Sequence, residues 1–369
     1  MRSLYVHVPF CPTICPYCDF HVLRRHGGVV GAYLERLKDE AHQLHGHFSE
    51  PLNTLYFGGG TPSFLRNAEL VRLFSALPWK LEASAEVTME VNPGTLNPER
   101  VQLLKDLGVN RVSIGVQSFQ DGVLKELGRA HGRRGALQAI ELCLEAGLRA
   151  SVDLILGLPG QNFRADLRQA VGLGVEHLSA YMLQIEPGTP YAIRGLQPNP
   201  DSEAQAFEQA EEILGEAGLL RYEVSNFARP GQESRHNLAY WRTEFWGALG
   251  PSAAGHLPAM AGAKAFSYRS TNPPLPRWLA AEPVPTEAIS PSEHLKEALM
   301  MGLRIREGVD LETLEIRTGI QVRQRLQPAL ARLAAQGLIK TTRSNIVSTP
   351  TGLPLLNRTI MKLWEALEE

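Results

Sequence analysis

Cysteine is scarce in this chain. There are four in 369 residues, and three fall within Cys11-Pro12-Thr13-Ile14-Cys15-Pro16-Tyr17-Cys18. A disulfide scaffold would spread paired cysteines through a small secreted fold, so this distribution argues against one. Long apolar runs are also missing, and none could span a bilayer. No apolar stretch with a small-residue cleavage site precedes the first strand-like segment, so a secretory signal is not expected. Neither sign of charge dominates: 37 Lys and Arg stand against 39 Asp and Glu. That gives no overall basic footprint for nucleic acid, although a local patch stays open. The expected location is cytoplasmic, with peripheral contact at the inner membrane face left open. Charged content of 21% and hydrophobic content of 44% suit an ordinary folded protein with one large core or two modest ones.

What is present in place of these features is a thiol cluster. Clustered cysteines in a reducing compartment mean metal or redox chemistry, and soft thiolates select zinc, copper(I) or iron–sulfur clusters. A closed zinc site would need a fourth ligand, for which His7 and His21 are candidates. Three thiolates could instead hold three irons of a 4Fe–4S cluster and leave the fourth open to a reactant. Cys143 stands apart in an Ala- and Leu-rich helix and reads as a small buried hydrophobe.

Six β-like runs, at 4–8, 52–57, 81–91, 109–116, 150–156 and 175–182, alternate with helical segments. The first helix, 29–44, puts Tyr33, Leu34, Leu37 and Ala41 on one side. Leu70, Leu73 and Leu77 mark the second, and Asn97 with Pro98 opens a third over 99–107. Residues 134–146 and 162–171 supply two more. Crossovers of this length imply parallel strands with right-handed connections. Six strands are too few for the closed eight-stranded barrel. The expected fold is therefore α/β, an open six-stranded (β/α)6 partial barrel.

Polar residues gather where these strands end. Gly58-Gly59-Gly60-Thr61 follows the second strand, and three glycines would let backbone approach a ligand or present amides to an anion, with a plain turn as the alternative. Glu86 and Glu90 share a face of the third strand, Glu90 nearer its end. Gln117 closes the fourth, Arg129 and His131 follow it, and Asp153 lies within the fifth.

The second half opens with a helix at 201–217 capped by Asp201, then a β-like run at 221–228 that extends the sheet as one added strand. Next comes His236-Asn237-Leu238-Ala239-Tyr240-Trp241, followed by Phe245 and Trp246. An imidazole suits heme iron axially and aromatic faces suit a porphyrin plane, while a packed aromatic cluster is the structural alternative. Residues 247–255 read as a second glycine-rich loop, Asn272 as part of a following turn, and 273–291 as a surface linker. Segments 292–301, 311–318, 322–336, 337–339 and 353–364, the last broken or capped at Asn357, suggest a mainly helical, winged-helix-like module. Arg323, Arg325, Arg332, Lys340 and Arg343 give it some positive charge, but a lid or packing role is preferred to nucleic acid. The expected divisions are 1–190 for the partial barrel, 191–275 for a sheet extension with a heme-binding region, and 276–369 for the C-terminal module.

Cys11-x-x-x-Cys15-x-x-Cys18, with Tyr17 before the last cysteine, resembles the signature of the radical S-adenosylmethionine enzymes. The resemblance implies a partial barrel of that type, a 4Fe–4S cluster on Cys11, Cys15 and Cys18, and S-adenosylmethionine on the open iron. It implies cofactor contacts from Tyr5, Gly58, Gly59, Thr61, Glu90, Gln117, Arg129 and Asp153. Tyr5-Val-His-Val-Pro-Phe-Cys11 is similar to the branch holding oxygen-independent coproporphyrinogen III dehydrogenase and a heme chaperone relative. His236, Asn237, Tyr240 and Trp241 complete the His-Asn-x-x-Tyr-Trp pattern that this branch associates with heme. The family often has histidine at Ala254, so the loop there, His256 included, is left out of the expected ligands. Phe20 stands where the dehydrogenase typically carries another cysteine, and the strand starting at Leu4 lacks its N-terminal extension. Both departures favour a heme chaperone serving an acceptor hemoprotein, expected in the respiratory chain at the membrane. The dehydrogenase, or another radical enzyme acting on a tetrapyrrole, is the alternative. No residue is assigned as catalytic, no nucleic acid partner is expected, and a reductant protein and a homodimer are left open.

Overall fold

A computed structural model describes the chain except for residues 49, 159, 198–199, 261–262, 264, 343 and 369. Six parallel strands form its centre: β1 (Ser3–Val8), β2 (Leu52–Gly59), β3 (Leu81–Val91), β4 (Arg111–Gln117), β5 (Arg149–Leu156) and β6 (His177–Met182). They lie side by side in chain order. Helices α1 (Val29–His45), α2 (Asn67–Ser75), α3 (Pro98–Asp106), α4 (Gly132–Glu145) and α5 (Phe163–Gly172) fill the crossovers. The sheet is open, with different strands added at each edge. This α/β partial barrel is the arrangement expected from the alternating pattern.

Local chemistry explains these boundaries. Helix α1 buries Val30, Tyr33, Leu34, Leu37 and Ala41, a stripe at helical spacing. Asn97 caps α3 by accepting from the Arg100 amide at 2.7 Å, with Pro98 in the first turn. Cys143 sits fully buried on α4, and burial pushes its thiol up to about 12, so it behaves as the small hydrophobe expected.

The edges differ from expectation. Residues 221–228 are two short antiparallel strands, β7 (Leu220–Arg221) and β8 (Asn226–Ala228), with a turn between. Glu223 makes the turn: its carboxylate accepts from the Ser225 amide at 3.2 Å and from the Asn226 side chain. The preceding helix, α6 (Pro200–Glu216), begins at Pro200, and the side chain of Asp201, its expected cap, lies outside the described residues.

The second glycine-rich stretch is mostly sheet. β9 (Trp246–Leu249) runs parallel to β1, and β10 (Ala254–Pro258), β11 (Ser267–Thr271) and β12 (Thr286–Ile289) add antiparallel strands beyond it. Only the short connection from Gly250 turns. Gly250 has φ of 93°, and a Cβ there would strike the His7 carbonyl. Asn272 is buried and donates to Glu40 at 2.6 Å and to the Gly250 carbonyl at 2.7 Å. The proline-rich 273–291 is not a linker on the surface. It contains the helix Leu275–Leu279, whose Trp278 is buried, and β12. Trp278 donates to Glu40 at 3.2 Å, which ties the segment to α1.

One apolar cluster extends from Leu4 to Trp278 and a second from Leu295 to Leu367. The second holds α8 (Pro291–Gly302), α9 (Leu311–Thr318), α10 (Val322–Ala335) and α11 (Leu356–Glu368), with a three-stranded sheet of Val309–Asp310, Asn345–Ser348 and Ile339–Thr341. This is the helical, winged-helix-like arrangement expected. Asn357 does not break the last helix; it lies inside the first turn of α11 and accepts from Arg304 at 3.0 Å. Arg343 lies outside the described residues.

Candidate functional site

The C-terminal ends of the parallel strands bring the first group of residues together. After β1, Phe10–Cys11 pairs with Leu23–Arg24, which closes the cysteine loop, and the Cys18 amide turns back to the Cys15 carbonyl at 3.2 Å. Cys11 and Cys15 are buried and Cys18 is half-buried, all as free thiols. Two other elements reach them. Thr61 Oγ1 lies 3.5 Å from Cys11 Sγ, and Arg129 Nη1 donates to Cys15 Sγ at 3.6 Å. The second Arg129 nitrogen donates to the Gly115 carbonyl, which fixes the guanidinium. Burial raises the Cys11 thiol and pushes Cys18 up to about 11, so without metal both hold their protons.

Among the described residues, no three Cys, His, Asp or Glu side chains converge as a single-ion site. Of the two histidines considered as a fourth zinc ligand, His7 has both ring nitrogens engaged and His21 has one. His7 meets Tyr5 Oη at 3.1 Å and the His21 carbonyl at 3.0 Å, and His21 Nε2 accepts from the Leu275 amide at 3.2 Å. Three thiols on one loop fit a cluster in which each thiolate takes a different iron.

Beside the loop stands Glu90. Its carboxylate accepts from Tyr56 Oη at 2.9 Å and from the Gly59 amide at 3.0 Å. Burial, then the charge of Asp153, pushes it up to about 7 against these two donors. The glycines serve this packing. A Cβ on Gly58 would lie 2.8 Å from Glu90 Oε1, and one on Gly59, where φ is 108°, would overlap the His7 ring. The open backbone expected for a ligand is thus partly filled by the chain's own Glu90 and His7.

Asp153 accepts from Ser113 at 2.9 and 3.0 Å and from Ser179 at 2.7 Å. Gln117 ends β4 with φ of 70°, where the register with β5 shifts. Its side-chain nitrogen lies over Gly115, as does Arg129, where a Cβ would approach them at 3.0 and 3.1 Å. His131 sits just before α4 without capping it; burial, then Arg129, lowers its imidazole to about 4.

The second group is anchored to the barrel rather than free of it. α7 (Arg235–Trp241) is capped by Ser234, whose Oγ accepts from the Asn237 amide at 3.3 Å. The buried Glu86 carboxylate accepts from the amides of Arg235 at 3.3 Å and His236 at 3.1 Å, so it also compensates the helix N-terminus. His236 has both ring nitrogens engaged, with Thr54 Oγ1 at 2.8 Å and Tyr240 Oη at 2.7 Å. It is 1% exposed, and burial lowers it to about 3. Its ring stacks on Tyr56 with centroids 5.0 Å apart. Tyr5 completes the cluster, its ring 6.1 Å from Tyr56 and 6.4 Å from His236. Asn237, Tyr240 and Trp241 are half-buried.

Sequence reasoning missed Tyr56, which touches both groups. The signal was present: Thr54, Tyr56 and Gly58 alternate on one face of β2, the face that meets His236 and Glu90. Ser113 and Ser179 were also missed, because single serines on neighbouring strands carry no pattern.

An open parallel partial barrel with three thiols at its strand ends defines a protein of the radical S-adenosylmethionine class. Residues 5–171 match the Radical SAM superfamily and residues 289–355 match the HemN C-terminal domain. The chain is 35% identical to the heme chaperone HemW of Lactococcus lactis, over 98% of this chain and 97% of that protein. It is 41% identical to the Escherichia coli heme chaperone HemW over 69% of this chain and 70% of that one. The bovine mitochondrial radical S-adenosyl methionine domain-containing protein 1 is 32% identical over 100% of this chain and 88% of its own length. The chain belongs to the heme chaperone HemW family. In fold it is similar to the radical SAM enzyme HemN of Escherichia coli, a coproporphyrinogen III oxidase, with a TM-score of 0.81 at 22% identity over 98% of this chain and 89% of that one. Radical S-adenosylmethionine proteins use a 4Fe–4S cluster and S-adenosylmethionine, and the residues at this cleft fit both. No helix among the described residues is long and apolar enough to cross a membrane.

Proposed function

We propose that this chain binds heme and delivers it to acceptor hemoproteins, a respiratory acceptor at the membrane being the first to test, while carrying a 4Fe–4S cluster and S-adenosylmethionine. The observation that carries this reading is the match to HemW chaperones along nearly the whole chain, together with the complete His236, Asn237, Tyr240 and Trp241 pattern. Cys11, Cys15 and Cys18 hold the cluster, which when bound supplies the electron for cleaving S-adenosylmethionine. Arg129 donates to Cys15 Sγ and so holds that side chain in the loop. Thr61 orients Cys11. Glu90, held by Tyr56 and Gly59, receives the ammonium of S-adenosylmethionine, with Tyr5, Gly58, Gln117 and Asp153 around it.

A pH dependence follows. The Glu90 carboxyl ionises at about 7 in the ligand-free cleft, above the ordinary carboxylate range. Below that pH it is neutral and attracts an ammonium weakly; above it the charge is present. S-adenosylmethionine should therefore bind more tightly as pH rises from about 6 to about 8. Titration calorimetry on reconstituted protein checks this. Glu90→Gln should bind weakly and without that slope, and an unchanged slope in the variant would remove Glu90 from the contact.

The function itself is tested by titrating heme into the protein, following its absorbance, and mixing the loaded protein with an apo-hemoprotein. Saturable uptake followed by transfer is expected. Absence of uptake would contradict the reading.

A further inference from the structure

Gln117 is held in a conformation that is unfavourable for it. Its φ of 70° lies in the left-handed region. An L side chain there costs free energy and persists only where its surroundings impose it. The register of β4 against β5 shifts at this point, so the ladder does not supply the constraint. The side chain is nevertheless well placed. Its nitrogen lies with Arg129 over Gly115, and Arg129 reaches Cys15.

The constraint comes from the next two residues. Ser118 Oγ donates to Asp166 Oδ2 at 2.8 Å, and the Phe119 amide donates to Asp166 Oδ1 at 2.9 Å. Asp166 stands in the first turn of α5, is 1% exposed, and takes a third bond from Gln161 Nε2 at 3.0 Å. Gln161 is itself fixed: Nε2 also donates to the Ile155 carbonyl at 2.7 Å, and Oε1 accepts from the Leu158 amide at 3.2 Å. Gln120 and Asn162 close the seam with a reciprocal pair of bonds, each 3.0 Å. One buried carboxylate therefore pins the chain leaving Gln117 to the helix of the next crossover.

This anchor needs a carboxylate. All three partners donate, and Ser118 Oγ already accepts from the Gln120 amide at 3.1 Å. An amide in its place would set N–H against the Phe119 amide in one orientation and against Gln161 Nε2 in the other.

We propose that Asp166 is a positioning residue for the cofactor: it holds Gln117 in the left-handed conformation and so aims the Gln117 side chain at S-adenosylmethionine. The proposal rests on the reading above that Gln117 contacts that ligand. Asp166 acts through Gln117 and is not itself a contact. Without the carboxylate, residues 118–120 lose their anchor, Gln117 relaxes to negative φ, and its side chain leaves its place beside Arg129.

The test is a double-mutant cycle on the full-length, anaerobically reconstituted protein, with the affinity for S-adenosylmethionine read by calorimetry. Gln117→Ala should weaken binding about tenfold, the loss of one hydrogen bond to a charged group. Asp166→Asn should do the same while iron content and the visible absorbance of the cluster stay at the wild-type level. The double variant should bind no more weakly than Gln117→Ala, because Asp166 acts only through that side chain. Losses that multiply in the double variant, or wild-type affinity in Asp166→Asn, would overturn the proposal and leave the Gln117 contact standing. Wild-type affinity in Gln117→Ala would remove the contact, and the proposal with it. Circular dichroism reports folding. If Asp166→Asn does not fold, Ser118→Ala, which breaks one bond of the anchor, takes its place in the cycle and is read by the same outcomes.

Discussion

Alanine at any one of Cys11, Cys15 or Cys18 should abolish cluster assembly. In the proposed assignment each thiol takes a separate iron, so no neighbour can replace a missing one. Of the nearby histidines, His7 has both nitrogens bonded, to Tyr5 and the His21 carbonyl, and His21 Nε2 is taken by the Leu275 amide. Cys143 is buried within α4 in the apolar core and unavailable. After anaerobic reconstitution, iron and sulfide content and the visible absorbance of the cluster should fall to background in each variant. Heme uptake should stay within about twofold of wild type, because the His236–Trp241 pattern lies in α7 and not in the cysteine loop. A full complement of iron in any single variant would contradict the three-thiolate assignment.

Gly59→Ala should be the most damaging single methyl group in the cleft. Gly59 has φ of 108°, a conformation closed to alanine without strain, and the added carbon would overlap the His7 ring. His7 cannot retreat easily, since both its nitrogens are bonded. The Gly59 amide would also shift from Glu90. Backbone strain and overpacking together should cost about 2–5 kcal/mol and lower the melting temperature by on the order of 5 °C. Binding of S-adenosylmethionine should be lost as well. Gly31→Ala is the matched control. It lies in α1 with nothing within 4 Å of the added Cβ, so the substitution should be neutral or raise stability by about 0.5–1 kcal/mol. Equal melting temperatures for wild type and Gly59→Ala would mean that this backbone conformation does not constrain the cleft.

Much of the fold is legible where structure is local. The alternation of strands and helices, the buried stripe of α1 and the Asn97 cap each depend on neighbours in sequence. The thiol cluster is equally visible, because three cysteines on one loop need no tertiary information. What escaped depends on long-range pairing. The strands of 246–289 look like a glycine-rich loop and a proline-rich linker, because their antiparallel partners and Trp278's place against α1 are set by tertiary contact. The turn at Glu223 hides inside an apparently continuous β run. His236 shows a similar limit: its pattern is plain, but its engagement by Thr54 and Tyr240 depends on α7 docking against β2. Tyr56, which joins that helix to Glu90, could have been found from the alternation in β2.

The most direct test of the chaperone account uses one anaerobically reconstituted sample divided in two. One half receives coproporphyrinogen III, S-adenosylmethionine and a reductant, and is assayed for protoporphyrinogen IX. The other receives heme and then an apo-hemoprotein. The account predicts heme uptake and transfer in the second half and no decarboxylated product in the first. Multiple turnovers to protoporphyrinogen IX would contradict it, and would show that Phe20 is compatible with the dehydrogenase chemistry.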